Sequence, residues 1–134
     1  MKFEFKYFNN LDRSYFHTDL HIHSIWSDGK STISEIAEQA KSLSLTHIAV
    51  TDHIRSTSTY FTEYYKEIIR IREEYGMNIL IGYEAKVNSF QGDIDVTENI
   101  KDKAEVRITS VHRFPIGRKL MSPKVFDKKV CQEV

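Results

Sequence analysis

The chain has 134 residues, about the length of one domain, and 40% of them are hydrophobic, which is enough for a core. Lysine plus arginine and aspartate plus glutamate both number 19, so the net charge is zero and no overall basic field attracts nucleic acid or an anionic membrane. The single cysteine, Cys131, excludes an internal disulfide, and no apolar run approaches the roughly 18 residues of a membrane span or forms the core of a signal peptide. The sequence therefore predicts a cytoplasmic protein.

Strand and helix patterns alternate along the first half of the chain. Charged and aromatic residues alternate in KFEFKY, residues 2–7, which predicts a half-buried strand, and a second strand is predicted over Thr18–His23. Thr32 and Glu35 have the spacing of a capping box at a helix start. An apolar stripe with helical spacing follows: Ile33, Ile36, Ala37, Ala40 and Leu43. The apolar run His47–Thr51 predicts a short buried strand with parallel neighbours.

The alternation continues in the second half. A helix is predicted over Tyr60–Tyr75, with Gly76 as its C-terminal cap. The remaining elements are a strand over Asn78–Val87, a hairpin or irregular loop at Gly92, a short helix over Asn99–Lys103, a strand over Val106–Val111 and a last helix near Pro123–Val134. Alternating strands and helices predict an α/β fold built from βα units around a parallel sheet, here as a single domain over 1–134.

Ligand-type side chains follow the carboxyl ends of the predicted parallel strands, which is where the functional sites of such folds lie. His21 and His23 end the first of these strands and share one face, because they are two residues apart. Asp28 lies in the loop that follows. The next three strands each deliver one further side chain: His53, Glu84 and His112.

Each of these residues has an ordinary interpretation when it is taken alone. A single histidine is most often a hydrogen-bonded core residue, Glu84 could belong to an ion pair, and Asp28 in SDG is typical of a turn. Their joint placement at one end of four strands favours a metal site. Imidazole and carboxylate ligands without thiolate suit zinc, manganese or iron, and an open cluster of this kind favours catalysis over a structural role.

Four other polar residues are given lesser roles. Asp19 and Asp52 are expected to be structural or to support the ligands, since ligating imidazoles usually donate to a carboxylate or carbonyl. His17 and His47 lie at the starts of strands, which is the wrong end for this site, and they are not expected to bind metal.

Four segments together resemble a known family. DLHIHSIWSDGKST, HIAVTDH, GYEAKV and ITSVH resemble, in order and spacing, the first motifs of the PHP (polymerase and histidinol phosphatase) family, over about Thr18–Arg113. The resemblance implies part of a distorted TIM-like (β/α)7 barrel with up to three divalent metal ions at its mouth. It assigns one ion to His21, His23 and Glu84, a second to Glu84 and His112, and a third to Asp28 and His53.

The family pattern continues with a further histidine and a terminal Asp-x-His, and this sequence has no histidine after His112. We therefore expect a half barrel that is C-terminally truncated, or else a shortened relative. Its last parallel strand, Val106–Val111, is expected to be a sheet edge through which the chain could associate with itself, since edge strands present unpaired backbone groups.

The resemblance implies metal-assisted hydrolysis of a phosphate ester, with a small phosphorylated substrate or nucleotide and with water rather than a side chain as the nucleophile. Arg55 and Arg113, with Lys30 and Arg118, are candidates for phosphate contacts or for ordinary solvated charges. Two alternatives stay open: an amidohydrolase-like metal hydrolase, and a non-catalytic PHP accessory module. Without the further ligands, this chain is expected to hydrolyse phosphoesters poorly or not at all.

Overall fold

The computed structural model describes residues 13–89, 91–111, 114–116 and 119–121. A 3-10 helix over Arg13–His17 leads into a four-stranded sheet. The elements in chain order are β1 (Thr18–Ile22), α1 (Ile33–Ser42), β2 (His47–Val50), α2 (Phe61–Tyr75), β3 (Asn78–Lys86), α3 (Glu98–Lys103), β4 (Val106–Ser110), β5 (Phe114–Ile116) and β6 (Lys119–Met121).

The sheet has the strand order β1-β2-β3-β4, and all three neighbouring pairs are parallel. The strands curl into a half-barrel with helices, which confirms the predicted partial TIM-like α/β fold. Within the part of the chain that the structure describes, β1 and β4 are the two edges of this sheet, as expected for β4. β5 and β6 pair with each other as a separate antiparallel hairpin.

The two faces of the sheet have different partners. The outer face packs against α1 and α2 through a large buried cluster that includes Val50, Ile81 and Tyr83. The inner face carries a smaller cluster of Ala49, Leu80 and Val106, with the half-buried Leu20 and Ile108 against it. Side chains alternate between the faces along each strand. Glu84 therefore shares the inner face with Leu80, above the smaller cluster.

The helices begin and end where their local chemistry predicts. Thr32 caps α1 and forms the full capping box with Glu35, whose carboxylate accepts the Thr32 N–H at 2.8 Å. The hydrogen bonds from Thr32 lower the pKa of the exposed Glu35 carboxyl. Gly76 ends α2 in the left-handed region with φ of 57°, a conformation that glycine adopts without a steric penalty.

The structure also adds to the sequence prediction. The β5–β6 hairpin and the 3-10 helix were not predicted. The strand predicted at residues 2–7 and the helix predicted near Pro123–Val134 lie outside the described residues. No helix in the described ranges is long and apolar enough to cross a membrane.

Gly82 allows β2, β3 and β4 to pack closely. A Cβ at this position would lie 2.5 Å from the Thr51 methyl carbon and 3.0 Å from the Val50 carbonyl oxygen. Gly82→Ala is expected to lower the free energy of unfolding by roughly 1–3 kcal/mol, measured by urea denaturation, because the sheet must spread to accept the methyl group. Gly76→Asn is the control, since asparagine tolerates a left-handed backbone and nothing lies within 4 Å of that Cβ position. Equal stability of Gly82→Ala and the wild type would contradict this packing.

Candidate metal centre

Five of the predicted ligands are brought to one end of the sheet. His21 lies in β1 and His23 directly follows it, while Asp28 lies in the loop before α1. His53 comes three residues after β2, and Glu84 lies within β3. The backbones of these last two residues form a parallel bridge beyond the end of β2. The sixth predicted ligand, His112, lies outside the described residues, as do Arg113 and Arg118.

His21, His23 and Glu84 form a first group, in which three ligand atoms make a nearly equilateral triangle. The Nε2 atoms of His21 and His23 are 3.2 Å apart. The Oε2 atom of Glu84 lies 3.1 Å from the first of these nitrogens and 3.0 Å from the second. The Glu84 side chain is only 8% exposed, so the triangle has a buried carboxylate at its base and opens toward the exposed His21.

The spacing in this first group fits a single divalent ion. Ligand atoms about 2.1 Å from one ion lie about 3.0 Å apart at octahedral angles and about 3.4 Å apart at tetrahedral angles. Hydrogen bonding alone does not satisfy the triangle, because two neutral imidazoles that both donate to Glu84 from Nε2 have no acceptor left for each other. A cation bound by all three atoms would satisfy them, so the group could hold a metal ion.

His23, Asp28 and His53 form a second group of three ligand-type side chains. Asp28 Oδ1 lies 2.7 Å from His23 Nδ1, and its Oδ2 lies 3.3 Å from His53 Nε2. The two imidazole rings meet edge to face with their centroids 4.5 Å apart. The family resemblance implied a shared ion for Asp28 and His53, and in the structure these two residues lie together with His23.

His23 belongs to both groups and directs a different nitrogen into each. If Nε2 binds an ion with His21 and Glu84, a proton on Nδ1 can donate to Asp28. A carboxylate in that position fixes the tautomer of a ligating imidazole and its orientation. Asp28 can therefore serve as a ligand beside His53 or as the support of His23, and the assignment of each residue as a metal ligand stays a prediction.

Two carboxyl groups of the site are held in their ionised form. Burial raises the pKa of Glu84, but hydrogen bonds from Ser110 and His21 and the nearby His53 outweigh it, so the pKa lies below its ordinary value. The hydrogen bond from His23 likewise lowers the pKa of Asp28, although its burial opposes the shift. Both groups therefore offer anionic oxygen at neutral pH, the form that binds a metal ion.

The loop between β1 and α1 is fixed by contacts that the sequence did not predict. Ser24 and Ser27 donate from their hydroxyls to the buried Asp52 carboxylate at 2.7 and 2.5 Å. Asp52 was expected to be structural or to support the ligands, and within the described residues its carboxylate accepts from these serines rather than from an imidazole. Tyr64 from α2 donates to the Val50 carbonyl at 2.6 Å and to a β3 carbonyl, and burial raises the pKa of its hydroxyl well above the ordinary value.

The residues given lesser roles lie where the sequence placed them. His17 ends the 3-10 helix before β1, and His47 opens β2 at the amino end of the sheet, away from the site. Asp19 accepts the His21 N–H at 3.2 Å. Arg55 is exposed in the loop after His53, and its backbone N–H donates to the Ser58 hydroxyl at 2.9 Å.

A parallel α/β half-barrel with a histidine and carboxylate cluster at its strand ends defines a TIM-like protein with a candidate metal centre. The family model described as the PHP domain matches residues 19–133, so the chain belongs to the PHP domain family. This confirms the resemblance seen in the sequence.

Two probable phosphatases and a DNA polymerase/3'-5' exonuclease are similar in sequence to this chain. The chain is 33% identical to a probable phosphatase of Proteus mirabilis over 97 residues, covering 70% of this chain and 40% of that protein. It is 30% identical to the DNA polymerase/3'-5' exonuclease PolX of Bacillus subtilis, covering 70% of this chain and 18% of that protein. A probable phosphatase of Acetivibrio thermocellus is 29% identical, with 79% of this chain and 45% of that protein covered. The chain thus spans less than half the length of these relatives.

Gly29 tests whether the loop geometry holds His23 in place. A Cβ at Gly29 would lie 2.1 Å from the His23 carbonyl oxygen and 2.7 Å from the Ser24 nitrogen, both of which are backbone atoms. Gly29→Ala is therefore expected to displace the His23 backbone and to weaken zinc binding by about 10–100-fold, measured by calorimetry, since loss of ligand support has effects of that size. Lys30→Ala, at the neighbouring exposed position, should bind zinc as the wild type does. Unchanged affinity in a folded Gly29→Ala variant would disprove the role assigned to this loop.

Proposed function

We propose that this chain forms part of a metal-dependent phosphoesterase that hydrolyses a phosphate ester with an activated water molecule. The observation that carries the proposal is the triangle of His21, His23 and Glu84, whose ligand atoms lie 3.0–3.2 Å apart at the carboxyl end of the sheet. Membership of the PHP family and the names of the relatives support the choice of a phosphate ester over an amide. A phosphatase and an exonuclease both cleave ester bonds to phosphorus, which is the chemistry these relatives' names share.

The chain's own residues would bind and orient the ions. A bound divalent ion supplies Lewis-acid activation of water and neutralises charge on phosphoryl oxygens. Glu84 provides the buried anionic ligand, and His21 and His23 provide neutral nitrogen ligands that leave the open side of the group to substrate. Asp28 and His53 extend the polar surface to a second position. Arg55, exposed in the same loop as His53, is proposed as a contact for the phosphate group.

Metal binding tests the first group directly. Glu84→Gln removes the anionic oxygen at the base of the triangle while keeping the size of the side chain. It is expected to weaken zinc binding by more than about a hundredfold, because a ligand matters more than the support of a ligand. His47→Gln is the matched control, since it changes a histidine at the other end of the sheet. Equal zinc affinity of Glu84→Gln and the wild type would place the metal elsewhere.

Phosphoester hydrolysis tests the reaction. The metal-loaded chain should bind inorganic phosphate and hydrolyse p-nitrophenyl phosphate slowly, with both signals lost in a chelator and restored by added metal. The rate should fall below that of the longer Proteus mirabilis relative, because the family pattern includes a further histidine and an Asp-x-His that this sequence does not contain. Hydrolysis that persists in the chelator, or an absence of metal-dependent phosphate binding, would contradict the proposed reaction. A rate equal to that of the longer relative would contradict the need for further ligands.

A further inference from the structure

Asp52 carries a buried charge that the proposed reaction does not use. The residue lies between Thr51 and His53 in the chain and is completely buried. Its Oδ1 accepts the Ser24 N–H at 2.9 Å and the Ser27 hydroxyl at 2.5 Å, and its Oδ2 accepts the Ser24 hydroxyl at 2.7 Å. Within the described residues, the donors to this carboxylate are all neutral. A buried carboxylate is costly unless its oxygens are hydrogen-bonded, so these contacts hold the loop and the carboxylate to each other.

The side chain of Asp52 contacts the residues next to both candidate ligands of the β1–α1 loop. Ser24 directly follows His23, and Ser27 directly precedes Asp28. The Ser27 hydroxyl also lies 3.2 Å from Asp28 Oδ1, so it touches both carboxylates. Asp52 therefore fixes the loop at one position next to each of the two ligands.

The main chain at and after Asp52 joins the segment that follows β2 to β3. Its carbonyl oxygen accepts the Glu84 N–H at 3.0 Å. The next residue, His53, forms the parallel bridge with Glu84, and Ile54 donates its N–H to the Glu84 carbonyl at 3.1 Å. Asp52 is thus joined by hydrogen bonds or directly by the chain to the segments that carry His23, Asp28, His53 and Glu84.

We propose that Asp52 is a positioning residue that holds the two candidate metal groups in register with each other. It acts through Ser24, Ser27 and the Glu84 backbone, and it contacts neither metal nor substrate. Its consequence for metal binding rests on the proposed function, whereas its effect on the arrangement of the imidazole rings does not.

The full chain with Asp52→Ala, compared with Asp52→Asn, tests this role. The direct readout is the nuclear Overhauser contact between the His23 and His53 rings, whose centroids are 4.5 Å apart, recorded without metal. Asp52→Ala should lose this contact while retaining the contacts within the large buried cluster on the outer face of the sheet. Asp52→Asn should restore it, because the amide oxygen can accept from Ser24 and Ser27 and the amide nitrogen can donate to the Ser24 hydroxyl. Zinc affinity should fall by about 10–100-fold in the alanine variant and recover in the asparagine variant.

Asp95→Ala is the matched control. Asp95 accepts the N–H and the hydroxyl of Ser56 at 3.3 and 2.6 Å, so it also binds a serine through both its main chain and its side chain, but it belongs to neither group. Its removal should leave the ring contact and zinc affinity unchanged. If Asp52→Ala does not fold, the double variant Ser24→Ala/Ser27→Ala removes the hydroxyl donors and should lose the same ring contact.

The outcomes separate this proposal from the proposed function. A His23–His53 contact that persists in a folded Asp52→Ala variant, or in the double serine variant, overturns the positioning role whatever the zinc affinity. A lower melting temperature with an unchanged ring contact also overturns it, because the residue is then only structural. If the wild type binds none of zinc, manganese and iron, the proposed function fails, and the ring contact still decides the role of Asp52.

Discussion

The site is organised around a buried carboxylate. Glu84 lies in the inner face of β3 with its side chain 8% exposed, and two imidazole nitrogens lie within 3.1 Å of one of its oxygens. Bringing an anion to this position requires compensation, since an isolated buried charge is strongly unfavourable. Hydrogen bonds from Ser110 and His21 supply part of it and hold the pKa of Glu84 below its ordinary value. A cation held between Glu84, His21 and His23 would supply the rest.

The parallel sheet explains how distant residues reach this carboxylate. Parallel strands place their carboxyl ends at one end of the sheet, so His23, His53 and Glu84 meet although they are far apart in the sequence. The backbone bridge between His53 and Glu84 sets the spacing of two of them. Gly82 and Gly29 keep these segments close, because a side chain at either position would collide with neighbouring atoms. The site is thus a product of close backbone packing as much as of its ligand-type side chains.

Local signals made much of the fold predictable. The capping box of Thr32 and Glu35 and the glycine after α2 act within a few residues. The sequence alone therefore located the start of α1 and the end of α2. The alternation of side chains also predicted that His21 and His23 lie together. The link between Asp52 and Ser24 spans 28 residues and depends on the way β1 and β2 pair, so no local pattern indicated it. The same reason explains why the shared position of His23 between two groups was not foreseen.

X-ray absorption spectroscopy of the chain loaded with one equivalent of zinc tests whether His21, His23 and Glu84 bind the ion. We expect a first shell of nitrogen and oxygen at about 2.0–2.1 Å, with the multiple-scattering signal of two imidazoles. In Glu84→Gln the zinc should no longer show this defined first shell, whereas in His47→Gln the shell should be unchanged. A shell without imidazole scattering, or one with sulfur from Cys131 at about 2.3 Å, would show that the triangle of His21, His23 and Glu84 is not the metal site.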